Sequence, residues 1–308
     1  MHEEPTHGET VIDGLRYHFV ETGVPDSRPG TADRDLVVLL HGFPEFWYAW
    51  RHQLPALADA GYHVVAPDMR GYNRTEAPEG VAAYDVERLA ADVTGLVRDR
   101  GYDRAHLVGH DWGGGVAWAV GQRDPDWLDR LAVLNAPHPA AYERELRGGD
   151  QLRRSWYALF FQLPWLPERI MGAGDCAAVA RALREDSAPG AFSDADVDRY
   201  REAFSDPTTR RAAVDYYRAA FRRAVREGVS SLPGVAPPSG PAPDAPVRAP
   251  TLLLWGVRDR ALSPRLTVGL EEWVPDLRVE RLPGASHWVQ ADAPDRVNEE
   301  LIAFFDAA

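Results

Sequence analysis

A chain of 308 residues with 45% hydrophobic side chains is long enough to bury one large α/β core, or a core carrying an inserted subdomain. Its net charge of -13 and isoelectric point near 5.2 argue against nucleic acid and anionic membrane surfaces as partners, because both demand clustered positive charge. All 34 basic residues are Arg and none is Lys, a bias that a GC-rich genome and salt adaptation would each produce.

Cys176 is the single cysteine, so an intramolecular disulfide and a Cys-rich metal site are both excluded, and it is a poor candidate nucleophile. The N-terminal MHEEPTHGET is acidic and polar, without the basic and apolar regions of a signal peptide, and no apolar run approaches membrane-spanning length. The expectation is a soluble, cytoplasmic protein, either a monomer or a homodimer.

In chain order, TVIDGLRYHFVETG (10–23) reads as an antiparallel hairpin at a sheet edge. LVVLL (36–40), HVVAPD (63–68), AHLVGH (105–110) and LAVLNA (131–136) are short apolar runs, and TLLLWG (251–256) and RVERLP (278–283) resume the pattern. Bounded runs of this kind, separated by helical periodicity, predict strands buried on both faces of a mostly parallel sheet. The fold class is therefore α/β. From Pro139 to about Val229 the strand signal gives way to amphipathic helical text such as LRRSWYALFFQLPWLPE and AVDYYRAAFRRAV, and a Pro/Gly/Ser-rich stretch follows. The expected organisation is a first core part at 1–138, an all-helical cap at 139–230, a linker at 231–250 and a second core part at 251–308. A cap inserted there would cover the carboxyl ends of the strands, where open α/β sheets bind ligands.

The stretch LVGHDWGGGVAW (107–118) holds the chemistry. AHLVGH reads as a strand, GGGVAWAVGQ opens a helix, and Asp111 falls on the turn between them, where Gly109 and Gly113 leave room for a strained nucleophile elbow. The bland alternative is an Asp that merely caps the helix. In an elbow fold the acid and the histidine follow the nucleophile in sequence. Asp259, in LLLWGVRDRALSP, and His287, in LPGASHWVQADAP, both fall just beyond strand ends in that order. Against these roles stand a surface salt bridge of Asp259 with Arg258 or Arg260, and nine other histidines. His41 and His110 read as structural, and His138 reads as a hinge at the start of the insertion.

A carboxylate nucleophile selects its electrophile. Attack on an acyl carbon would give an anhydride, whereas attack on a saturated carbon bearing a leaving group gives an ordinary alkyl ester, so epoxides and alkyl halides are the natural substrates. Asp111 needs no base to ionise; the histidine would instead activate the water that cleaves the ester, with Asp259 stabilising the imidazolium. A departing alkoxide needs a proton or strong donors, and Tyr157 and Tyr217 in the insertion are suited to that task, although aromatic packing of a lid would use them equally well. Neither a metal nor an organic cofactor is required.

Taken together, HGFPEFWYAWRHQLPAL (41–57), PDMRGYNRTEAPEGVAAY (67–84) and VGHDWGG (108–114) resemble the α/β-hydrolase-fold epoxide hydrolases, and the resemblance extends from about Glu9 to Phe305. It implies the α/β-hydrolase fold, Asp111 as nucleophile, Asp259 and His287 as its triad partners, and Tyr157 and Tyr217 as lid tyrosines that activate the ring oxygen. It also implies an oxyanion hole of the backbone N–H groups of Phe43 and Trp112. In the pair at 216–217, Tyr217 followed by Arg218 matches the family pattern, leaving Tyr216 to packing. Arg74 and Thr75 depart from the small residues usual there. Phe43, Trp112, Trp156 and Phe160 are the candidate substrate-binding side chains, for an apolar epoxide that reacts with water. Haloalkane dehalogenases are also similar, but they usually carry a halide-binding amide where this chain has Phe43; Trp156 or Trp165 would have to supply an indole instead. A catalytically silent binding protein would need a broken triad, and none is visible.

Overall fold

The computed structural model describes residues 4–24, 34–230 and 240–307; most of the expected linker, at 231–239, therefore lies outside the described residues. The hairpin comprises β1 (Thr6–Ile12) and β2 (Leu15–Thr22), so it begins four residues before the predicted stretch. Asp13 and Gly14, both at positive φ, make the two-residue turn, the backbone geometry that right-twisted hairpins favour.

The chain then alternates: β3 (Leu36–Leu40), α1 (Gln53–Asp59), β4 (His63–Pro67), α2 (Val86–Asp99), β5 (Ala105–His110), α3 (Trp112–Gly121) and β6 (Leu128–Leu134). Helices α4 (Pro139–Leu146), α5 (Asp150–Arg154), α6 (Trp156–Phe160), α7 (Leu166–Glu185), α8 (Asp194–Ala203) and α9 (Pro207–Ser230) follow before β7 (Thr251–Gly256). The end of the chain adds β8 (Leu277–Leu282), α10 (Val289–Asp292) and α11 (Pro294–Phe305). Helix α7 is not continuous, since Ala173 to Cys176 leave the helical region of backbone space.

Among the described residues the strands form one eight-stranded sheet in the order β1-β2-β4-β3-β5-β6-β7-β8. β1 pairs with β2, and β2 with β4, in antiparallel fashion; every other pair is parallel. Every residue of β3, β4, β5 and β7 is buried, as parallel strands covered on both faces require. The order reverses where β3 lies between β4 and β5, so the loops leaving β3 and β5 meet there, at the switch point where such sheets bind ligands. The loop after β3 carries Phe43 and the turn after β5 carries Asp111. Among the described residues no helix is long and apolar enough to cross a membrane.

Candidate active site

The turn at Asp111 is strained. Its φ of 48° and ψ of −115° lie outside the regions open to ordinary L residues, a cost of about 1–3 kcal/mol that neighbouring structure must hold in place. The glycines around it are sterically obligatory. A Cβ on Gly109 would strike the Gly113 carbonyl, one on Gly113 would strike the Leu40 carbonyl, and one on Gly42 would strike the Asp111 side chain. Asp111 makes no side-chain cap to α3, so the capping alternative fails; its carboxylate is turned instead towards the Phe43 N–H, which donates to Oδ1 at 2.8 Å. Trp112 occupies the first position of α3, where backbone N–H groups have no intrahelical acceptor.

His287 lies between two carboxylates. Its Nδ1 is 2.7 Å from Asp259 Oδ2 and its Nε2 is 3.6 Å from Asp111 Oδ2. Burial alone would lower the imidazole pKa, but the Asp259 and Asp111 carboxylates outweigh it and hold His287 well above the ordinary histidine value. Asp111 shows the converse: burial opposes its charge, yet the neighbouring His287 imidazole, helped by His110 and the Phe43 N–H, brings its pKa below the usual carboxylate value. Asp259 is buried rather than engaged in a surface salt bridge, and its pKa too is lowered against burial, chiefly by His287. Its Oδ1 accepts from the N–H groups of Ala261 and Leu262, each at 2.8 Å, and Oδ2 also accepts from Asn135 Nδ2 at 2.8 Å.

Asn135 was not legible as a site residue. It sits just past β6 at a φ of 39°, donates to Asp259, and exchanges hydrogen bonds with the Gly256 backbone. The signal available in NAPHP was an Asn directly after a strand, a residue that tolerates positive φ. A second buried set lies behind His287: Glu45 Oε2 is 2.7 Å from His110 Nδ1 and accepts from the Gly42 N–H at 2.9 Å, while His110 Nε2 is 2.9 Å from the His287 carbonyl. Gln290 donates to Glu45 Oε1 at 3.0 Å. The loop after β3, the elbow and the histidine loop are thereby tied together. His41 bonds to the Gly42 carbonyl and the Met69 N–H, and His138 stacks flat on Trp273, with ring centroids 5.3 Å apart. Thr75 braces Asp68 and His18 through its hydroxyl.

The insertion sends aromatic rings towards Phe43 and Trp112, beside Asp111. The Tyr217 ring centroid lies 4.9 Å from Trp112, 5.4 Å from Phe43 and 5.9 Å from Tyr157. Burial, reinforced by neighbours that include Asp111, raises the pKa of both phenols well above the ordinary tyrosine value, so both stay protonated. Tyr216 differs from its neighbour: it is fully buried, and its hydroxyl donates to the Arg70 carbonyl at 2.9 Å. Phe160 is partly buried beside Phe161, at 5.8 Å. Trp156 is not brought to the cluster; it is 65% exposed, with its ring against Phe160. Trp165 is similarly 63% exposed, its ring beneath the Arg169 guanidinium.

A family model described as the alpha/beta hydrolase fold matches residues 35–294, and the chain belongs to that family. The chain is 36% identical over 298 residues to epoxide hydrolase 3 of Xenopus tropicalis, covering 94% of this chain and 75% of the relative. It is 33% identical over 332 residues to epoxide hydrolase A of Mycobacterium tuberculosis, with 97% of each covered. The crystal structure of the Bacillus megaterium epoxide hydrolase with an inhibitor superposes with a TM-score of 0.83 at 28% identity, covering 97% of this chain and all of the other. Within the α/β hydrolases, this chain belongs with the epoxide hydrolases.

Proposed function

We propose that this protein hydrolyses epoxides to vicinal diols through a covalent alkyl ester on Asp111. The observation that carries the reading is the histidine between two carboxylates, Asp259 at 2.7 Å and Asp111 at 3.6 Å, facing a nucleophile that needs no base. In the first step a carboxylate oxygen of Asp111 attacks a ring carbon, the C–O bond breaks, and Tyr157 or Tyr217 gives the leaving oxygen its proton. Esterification removes the charge of Asp111, and with it one of the two carboxylates that hold His287 protonated, so the imidazole becomes available as a base. In the second step His287, having passed its proton to the tyrosinate left by ring opening, takes a proton from water; the hydroxide oxygen attacks the ester's carboxyl carbon, the bond from that carbon to the diol oxygen breaks, and the diol leaves with the tetrahedral hydroxyl's proton as the Asp111 carboxylate re-forms. The Phe43 and Trp112 N–H groups stabilise the tetrahedral oxyanion. The insertion acts as a cap that delivers the tyrosines and excludes bulk water.

The environment of Phe43 weighs against a halide leaving group. Its ring packs edge-on against Phe161, Phe204 and Tyr217, and among the described residues no side-chain amide stands there to bind halide; Trp156 and Trp165, the indoles that would have to join Trp112 as a second donor, are largely exposed. The test offers a terminal aryl epoxide, a haloalkane and an aryl ester in parallel, with intact mass spectrometry of His287→Ala after epoxide addition. Diol without halide, and a mass increase equal to the epoxide on the variant, are expected. A variant that binds the epoxide yet stays unmodified would remove the covalent step.

A further inference from the structure

The insertion also touches the triad from behind, through α5. Gln151 is 1% exposed, and its carboxamide is used at both ends: Oε1 accepts from the Ser263 N–H at 3.0 Å, and Nε2 donates to the Ala261 carbonyl at 3.0 Å and to Ser155 Oγ at 3.0 Å. The amide therefore spans Leu262 in the loop after β7. That segment supplies the Ala261 and Leu262 N–H groups that bind Asp259 Oδ1. Three residues on, Arg154 Nη1 donates to the carbonyls of Asp259, at 3.2 Å, and Arg260, at 3.1 Å. Nothing else in the mechanism calls for a buried glutamine here, and an apolar side chain of the same size would fill the space. What an apolar side chain would not do is hold the loop, because the Ser263 N–H and the Ala261 carbonyl would lose their partners.

We propose that Gln151, assisted by Arg154, is a positioning residue for ester hydrolysis: it fixes the loop that orients Asp259, and through Asp259 the His287 imidazole. This rests on the two-step reading above. The placement makes the effect step-specific. Asp111 is held by the β5–α3 turn and by Phe43, which Gln151 does not touch, and alkylation needs no base. Hydrolysis does need one, with its ring held at the angle Asp259 sets.

In a two-step reaction, slowing only the second step lowers kcat and KM together and leaves kcat/KM unchanged. Gln151→Leu is expected to slow decay of the pre-formed Asp111 ester about tenfold in single-turnover experiments, the effect of losing roughly one to two buried neutral hydrogen bonds, and to lower kcat and KM in parallel. Quenched samples of the turning-over variant should show the Asp111 ester by intact mass, where the parent protein shows little. Gln151→Glu keeps the acceptor for the Ser263 N–H and should recover part of the loss. Arg154→Met should move the same parameters in the same direction, and these two variants decide the matter if Gln151→Leu does not fold. A loss of kcat/KM equal to the loss of kcat, or folded variants that accumulate no ester, overturns the proposal. Failure of the functional reading looks different: the parent protein would form no diol and His287→Ala would trap no ester. A parent that does both, with variants that leave the balance of the two steps unchanged, removes this inference alone.

Discussion

Replacing Asp111 with Asn keeps the side chain's shape and removes its charge, which is also what esterification does to it, so the variant shows how His287 behaves in the second step. The magnitude follows from the geometry. A unit charge pair at the observed 3.6 Å separation, at an effective dielectric of about 20, interacts by about 4–5 kcal/mol. Losing an attraction of that size makes the imidazole of the variant markedly less basic than that of the parent. Asp259, at 2.7 Å, remains in both and cancels from the comparison. The assay is an NMR titration of the imidazole ring in parent and variant, with the His287 resonances assigned by their loss in His287→Gln. A change in basicity of tenfold or less would refute the argument, because Asp111 would then not be holding the proton, and its esterification could not release the base.

Three further outcomes are expected. Replacing Tyr157 and Tyr217 together with Phe should slow epoxide opening by at least about a hundredfold, the usual scale for losing a transition-state donor, and should affect any alkyl halide turnover far less; equal losses would argue against protonation of the leaving oxygen. Burial holds the His138 pKa down at about 4, while the unfolded chain takes up the proton near 6.5, so stability is lost as pH falls through that window, by about 3 kcal/mol. His138→Phe should retain the stack on Trp273 and lose that part of the acid sensitivity in denaturant titrations at pH 6.5 and 4; an unchanged pH dependence would place the sensitivity elsewhere. Within one glycine run, Gly113→Ala should be destabilised by about 2 kcal/mol or more, because the Leu40 and His41 carbonyls block the new methyl, whereas Gly115→Ala, whose methyl would meet the Trp112 ring at an ordinary 4.0 Å, should melt at or slightly above the parent temperature. Similar melting for the two would contradict the steric reading of the elbow.

The parts of this protein that could be read from the sequence are those in which neighbouring residues constrain one another. The alternation of apolar runs with helical text revealed the parallel sheet, because strands buried on both faces have little freedom to be polar. The elbow was legible for a similar reason: a strand, a turn that places a carboxylate at positive φ and a helix all fall within the seventeen residues from Ala105 to Gly121, and the glycines that make the turn possible lie beside it. The hairpin's start was placed four residues late, since THGE at the head of β1 is polar and leaves no apolar alternation to detect.

That a carboxylate and not a hydroxyl stands on the elbow belongs to the sequence alone, since no packing arrangement turns an aspartate into a serine. Which groups keep that chemistry in order was decided by the tertiary structure. Asn135 reaches Asp259 across 124 residues, Glu45 reaches His110 across 65, and Gln151 reaches Ser263 across 112. None of these residues has a neighbour in sequence that demands it. A buried polar side chain is specified by its partner, and here each partner lies in a distant part of the chain, brought near only when the sheet assembles.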